Sequence, residues 1–238
     1  MAALLAVLYR EGKIRFTNLV WMFFDLFYPL LYFLLFGVMM DYTAFFLAGV
    51  LGMAGFGIAT NTAWGFFFDR DNGIFYEMLT YPMSRAQFLL GKVVFNLLLA
   101  VAQAALTVGL GVLLLHVPVK LERLPLLLAA VVGGAAGWFF FFAIFALKIR
   151  RNDLFNTVVN VFYFVFLFAS SMFYPLEPLP GWFRAAAQLN PLTWHVDVLR
   201  FATIGVGDPW RILLEAAAFV VFSLAAFAYA VRTLQRQE

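Results

Sequence analysis

The sequence has 238 residues, of which 65% are hydrophobic, 19% aromatic and only 12% charged. A soluble domain is about one-quarter charged, so this composition excludes a water-soluble fold and describes an integral membrane protein. The absence of cysteine excludes disulfides, thiolate metal sites and thiol nucleophiles, and a net charge of +3 gives no reason to expect a nucleic-acid partner.

In chain order, residues 1–16 ("MAALLAVLYREGKIRF") are too short and too charged to cross a bilayer. They predict an interfacial helix with Leu4, Leu5 and Leu8 toward lipid and Arg10, Lys13 and Arg15 toward water. The apolar run precedes the charges, the reverse of a signal peptide, so cleavage is not expected. Six transmembrane helices are predicted at 19–40, 44–67, 93–115, 125–147, 155–174 and 212–231, because about 20 apolar residues are needed to cross a core of about 30 Å. Without repeats or a low-complexity linker, the chain reads as one all-α transmembrane domain over 1–238.

In the first span Asn18, Trp21, Asp25, Tyr28 and Tyr32 form one stripe at helical spacing. A carboxylate inside a span is costly. The preferred reading pairs Asp25 with a cytoplasmic Arg; the other gives it a contact to substrate or to a second copy. Small residues recur at Ala48, Gly52, Gly55, Ala59 and Thr62, at Ala100, Ala104, Thr107 and Gly111, and at Gly133 and Gly137. They predict helix-packing faces, since lipid gives no hydrophobic drive to helix association. Asn152, Asn156, Asn160 and Tyr163 form a polar stripe on the fifth span; like Asn61 and Thr62, it must face protein or a pathway.

Two connections are long. Residues 68–92 carry Asp69, Arg70, Asp71, Glu77 and Arg85 beside exposed aromatics. Residues 175–211 are apolar for a solvent loop; after Pro175, Pro178 and Pro180, "GWFRAAAQL" and "PLTWHVDVLRFA" read as two short helices, re-entrant or interfacial over the outer mouth. Pro191 suits the first turn of the second one. His116 and His195 fall near the outer surface, with His195 and Asp197 expected to be a satisfied polar pair.

Eleven of the sixteen Lys and Arg residues fall on the side of the termini and five on the other, which predicts both termini in the cytoplasm. No catalytic set is present. "LLGKV" lacks the first Gly and the Ser/Thr of a phosphate loop, and there is no H-E-x-x-H and no G-x-S-x-G. The chain is not expected to be an enzyme.

The stretch "DRDNGIFYEMLTYPMSRAQFLLGK" resembles the loop between the second and third spans of type-2 ABC exporter permeases, the group that includes the ABCG-like exporters. Asp69, Arg70, Asp71, Gly73, Glu77, Pro82, Ser84, Gly91 and Lys92 match in order. Ile74 and Phe75 stand where that family usually has Thr-Leu, and Asp where Glu is usual. "LNPLTWHVDVLRFATIG" is a second match through Asn190, Pro191 and Arg200, and "PLLYFLLFG" is typical of the first span. The resemblance covers the whole chain. It implies a cytoplasmic coupling helix over 68–85, in which Asp69, Arg70, Asp71, Gly73, Phe75, Glu77, Pro82 and Arg85 meet an ATP-binding cassette subunit. Tyr76, Met78 and Leu79 would add apolar anchors, and "LKIRRNDLFN" a secondary contact. It further implies two permease copies, most simply identical, with two ATPase subunits that bind ATP and Mg; this chain holds no cofactor. The path would run along Asn61, Thr62, Asn156, Asn160, Tyr163 and Phe166, with an outer gate at Phe173, Tyr174, Asn190, Pro191 and Arg200. The implied activity is export of an amphipathic cargo (drug-like molecule, lipid or lipid-linked glycan) across the cytoplasmic membrane. The alternatives are an ABC permease with a non-export role and an ion- or proton-coupled transporter using Asp25.

Overall fold

The computed structural model describes residues 2–39 and 43–236; the first residue of the predicted interfacial helix and the end of the predicted first span at residue 40 lie outside them. In chain order the helices are α1 (Ala2–Thr17), α2 (Leu19–Met22), α3 (Tyr28–Met39), α4 (Thr43–Asp71), α5 (Ile74–Met78), α6 (Arg85–Leu113), α7 (Leu124–Lys148), α8 (Asn152–Phe168), α9 (Gly181–Gln188), α10 (Pro191–Ile204) and α11 (Pro209–Gln235). A π-helical turn over Phe23–Phe27 joins α2 to α3, and a 3-10 turn over Leu121–Arg123 precedes α7. No strand occurs among the described residues.

Five helical segments are long and apolar enough to cross a membrane: Leu19–Gly37, Thr43–Asp71, Arg85–Leu113, Leu121–Lys148 and Pro209–Gln235. The remaining predicted span, 155–174, is helical only as α8, 17 residues long. At 1.5 Å per residue that is about 26 Å, just short of the hydrocarbon core. The helix stops because the Ser170 hydroxyl turns back onto the Leu167 carbonyl, and the chain then leaves in an irregular segment toward Pro175.

α4 is the central post, packed against α3, α6, α7 and α10. Its side chains are apolar nearly all round, as a helix buried on every side requires. Phe56, Phe66 and Phe67 of α4 are fully buried with Trp138, Phe139 and Phe142 of α7. Phe56 meets the Trp138 ring edge-on at 4.6 Å, an arrangement that aromatic quadrupoles favour. Of the small residues predicted to pack on α7, Gly137 does so, since a Cβ there would lie 2.2 Å from Ser223 Oγ of α11, but Gly133 does not. A Cβ at Gly133 would meet open space, whereas one at Gly134 would lie 2.0 Å from His195 Nε2. α10 can approach α7 this closely because position 134 has no side chain.

α1 corrects the picture of a helix floating in the interface. Lys13 is exposed as expected, but Arg15 and Glu11 are buried, Arg10 is half-buried, and Val7 is fully enclosed against α6. α1 is part of the bundle. The two predicted outer helices form as α9 and α10. They differ sharply: α9 exposes Trp182, whereas α10 is buried against α4, α7 and α11.

Candidate functional site

The connection between α4 and α6 is not one helix over 68–85. Residues 68–71 finish α4, Gly73 turns the chain with φ 76°, α5 makes a single short helix, and turns follow to Ser84. A positive φ of this kind is a glycine conformation. Ser84 caps α6: its hydroxyl accepts from Gln87 N (3.2 Å), and Gln87 Oε1 accepts from Ser84 N (2.9 Å), a reciprocal capping box.

The predicted coupling residues divide into two sets. Phe75 is 1% exposed and sits edge-on between Phe66 of α4 (5.8 Å) and Phe88 of α6 (5.3 Å). Arg70 is buried and donates to the Leu147 carbonyl (2.5 Å) and to that of Ile149. Asp69 also points inward. Asp71, Tyr76, Glu77, Tyr81 and Pro82 face outward, and Arg85 is half-buried.

Asp69 belongs to a buried four-charge cluster that sequence reading did not find. Lys92 Nζ lies 2.7 Å from Asp69 Oδ2 and 2.8 Å from Glu11 Oε1, while Arg10 donates to both carboxylates. Two cations meet two anions, so the cluster is neutral. Burial alone would lower the Arg10 pKa; hydrogen bonds and charge from Asp69 and Glu11 outweigh it and raise it. The one available signal was compositional: Glu11 is the only acid in a basic helix, and Lys92 is followed by a long apolar run.

Deeper in the bundle Arg15 pairs with Asp25 at 2.8 Å, as the preferred sequence reading expected. Asn61 donates to the other Asp25 oxygen (2.7 Å), Arg15 donates to Thr62 Oγ1 (3.2 Å), and Asn96 donates to the Ala135 carbonyl (2.9 Å) while its Oδ1 sits 3.1 Å from Thr62 Oγ1. Arg15 also lies over the Trp21 ring. Thr62 therefore faces a buried polar chain.

An aromatic cavity of about 400 Å³ lies between α3, α4 and α8, walled by Tyr28, Tyr32, Phe46, Met53, Tyr163 and Phe173, with Tyr174 at its margin. The structure thus brings together Tyr163, Phe173 and Tyr174 of the predicted path and gate. It sets the others apart. Phe166 packs against Trp138 (5.5 Å), Asn156 bonds Asn152 (3.1 Å), and Asn160 is exposed with its amide on the Asn156 carbonyl (2.9 Å).

At the end of the bundle away from the termini Asn190 does three things. Its Oδ1 accepts from Leu192 N (2.9 Å), capping α10, and its Nδ2 donates to the Phe166 (2.9 Å) and Ala169 (2.6 Å) carbonyls. Those are orphan carbonyls at the end of α8. Pro191 follows at the first turn, as predicted. Arg200, 4% exposed, pairs with Asp197, donates to the Ser171 carbonyl (2.7 Å) and lies over Phe45. Burial lowers its pKa despite Asp197.

His195 does not pair with Asp197, and it is not at the surface. Trp138 Nε1 donates to its Nδ1 (3.3 Å), its Nε2 faces the Ala130 carbonyl (3.2 Å), and Phe219 stacks on the ring at 5.0 Å. An indole N–H can only donate, so Nδ1 is the acceptor and Nε2 carries the proton. Asp197 is taken instead by Ser171 and Arg200. Among the described residues no group of His and carboxylates could hold a metal.

Similarity to known proteins agrees with this architecture. The family model for the ABC-2 type transporter matches residues 2–204. The chain is 26% identical over 187 residues to a protein of Cyanophora paradoxa described as "Putative transport permease ycf38", covering 73% of this chain and 64% of that one. A protein of the same description from Pyropia yezoensis is 26% identical over 175 residues, covering 70% of this chain and 58% of its own length. The matches thus span about three-fifths of the curated relatives. With the family model covering most of its length and five apolar helices able to cross a bilayer, this multi-pass membrane protein belongs to the ABC-2 type transporter family.

Proposed function

We propose that the chain is the permease subunit of an ATP-driven exporter, working as a pair of identical copies with two separate ATP-binding cassette subunits in the cytoplasmic membrane. The observation that carries this reading is the connector around α5. Phe75 is wedged between α4 and α6, while Tyr76, Glu77 and Tyr81 face outward. Tyrosines suit interface anchors and Glu77 a charge-assisted contact. A push on this surface reaches two long helices directly through the Phe75 ring, and packed helices shift as near-rigid bodies. Asp69, Arg70 and Gly73 shape the connector from within, and Asp71, Glu77, Pro82 and Arg85 supply its outer contacts. ATP and Mg belong to the partner subunits. The aromatic cavity beside α8 suits an amphipathic cargo, with apolar walls and few polar groups, and Phe173 and Tyr174 stand at the outer end of the way out. Asp25 is already held by Arg15 and Asn61, which weighs against its serving as a free proton carrier.

The test is co-expression with a candidate ATP-binding cassette subunit from the same source, purification through a tag on the permease, and a mass measurement. Two permeases with two ATPases are expected. Tyr76→Ala with Glu77→Arg should release the ATPase and leave the permease fold unchanged by circular dichroism. A permease that purifies alone across detergents and nanodiscs would sink the reading.

A further inference from the structure

A cavity of about 490 Å³ opens where α4, α7 and α11 end on the side of the termini, walled by Arg70, Lys148, Arg150 and Arg236 against the single carboxylate Asp71, with Tyr76 and Thr233. Three helix C-termini converge there. Each brings about half a negative charge, less in sum than the net charge of the side chains. Arg70 is spent on the α7 carbonyls and stands as a fixed charge at the back. Lys148 is held on the Tyr229 hydroxyl and over its ring. Arg150 and Arg236 are exposed, and among the described residues neither forms an ion pair. Below Thr233, the α11 positions Tyr229, Ala225 and Val221 step down at four-residue intervals along one ridge. All three are exposed. A cationic cup therefore sits directly above an apolar ridge facing the bilayer.

We propose that this cup binds the phosphate of an anionic phospholipid from the leaflet on the side of the termini, with an acyl chain along the Tyr229–Val221 ridge. Basic pockets between transmembrane helices hold anionic headgroups by this complementarity, and Tyr229 lies where aromatic side chains mark the headgroup level. A soluble phosphate would use the cations but not the ridge. An acidic peptide would use neither its depth nor the apolar strip. Asp71 and Tyr76 also belong to the connector proposed above to meet an ATPase, so the lipid is tested on the permease alone.

The experiment is native mass spectrometry of the delipidated full chain, titrated with phosphatidylglycerol or phosphatidylcholine. Phosphatidylglycerol should be retained in preference, and retention should fall about five-fold for each cation removed in Arg150→Gln, Arg236→Gln and Lys148→Gln, and on the order of a hundred-fold for the three together. Charge-keeping Arg150→Lys and Arg236→Lys should retain the lipid, and Arg211→Gln at the opposite end should have no effect. If the triple variant does not fold, the single Arg150 and Arg236 variants, both on exposed side chains, still give the five-fold steps. Equal retention of the two lipids, an equal loss with Arg211→Gln, or unchanged retention in the Arg150 and Arg236 variants overturns the proposal. So does displacement by soluble glycerol phosphate, which would make the cup a free-phosphate site. Cations that matter only for ATPase assembly, with no lipid selectivity in the lone permease, would make it a protein contact instead.

Discussion

The two ends of the bundle are held by different chemistry. At the end of the termini, charge meets charge: Arg10, Glu11, Asp69 and Lys92 close one buried cluster, and Arg15 with Asp25 forms a second. At the other end side chains mostly serve the backbone. Asn190 caps one helix and closes another, Arg200 bonds the Ser171 carbonyl, and His195 joins a tryptophan N–H to a carbonyl. The ionic end depends on complete sets, because one missing partner strands a buried charge. At the other end Arg200 with Asp197 shares that dependence, and most of the remaining contacts are lost one bond at a time.

Breaking that contrast begins with Lys92→Met. It leaves Asp69 and Glu11 sharing Arg10 alone, and should cost about 3–5 kcal/mol, read as a lower melting temperature in detergent. Gly134→Ala comes next, since the added methyl overlaps His195; a cost of about 1–3 kcal/mol is expected. Adding His195→Ala should recover part of it in a double-mutant cycle. Asn190→Ala should cost about 1–2 kcal/mol through the lost cap and freed carbonyls.

The pH response sharpens the comparison further. Burial pushes the His195 pKa down to about 4 from 6.5. The folded state keeps the imidazole neutral while the unfolded chain protonates it, so stability should fall as pH drops from about 6.5 toward about 4 and be flat above. A protonated Nδ1 would face the Trp138 N–H donor to donor. Trp138→Phe should therefore reduce this acid loss, measured as melting temperature against pH. Smallest of all, Arg151→Ala breaks an ion pair with Asp153 that is fully in solvent, and should leave the melting temperature unmoved.

The helices were legible because span length and apolar runs are local properties. So was the Asp25–Arg pairing, since a lone carboxylate in a greasy helix needs a cation nearby. The start of α10 at Pro191 was visible as a motif, but the Ser84 capping box was not read, and neither were the tasks of Asn190, one of which depends on where α8 ends. What the sequence hid lies between distant segments. Lys92 and Glu11 are 81 positions apart, and nothing local says that a basic amphipathic helix will turn its Glu inward. His195 misled for the opposite reason. Asp197 is close in sequence, but two residues apart on a helix point to different sides, and the histidine met Trp138, 57 positions away. Tyr163, Phe173 and Tyr174 gathered on one cavity, while Phe166 turned away because helical phase sends it to Trp138.

The π-helical turn over Phe23–Phe27 carries a consequence for the gene as well as the helix. Such a turn is one amino acid inserted into an α-helix, and here it lies around Asp25, between the Asn18 cap and Pro29. Deleting a single codon within it would restore a regular helix and rotate everything before it by about 100° relative to everything after. The Arg15–Asp25 pair would then lose its register with Tyr28 and Tyr32. A relative with an unbroken first span is therefore expected to be one codon shorter in this interval, and to place its carboxylate, if it keeps one, at a different step of the stripe.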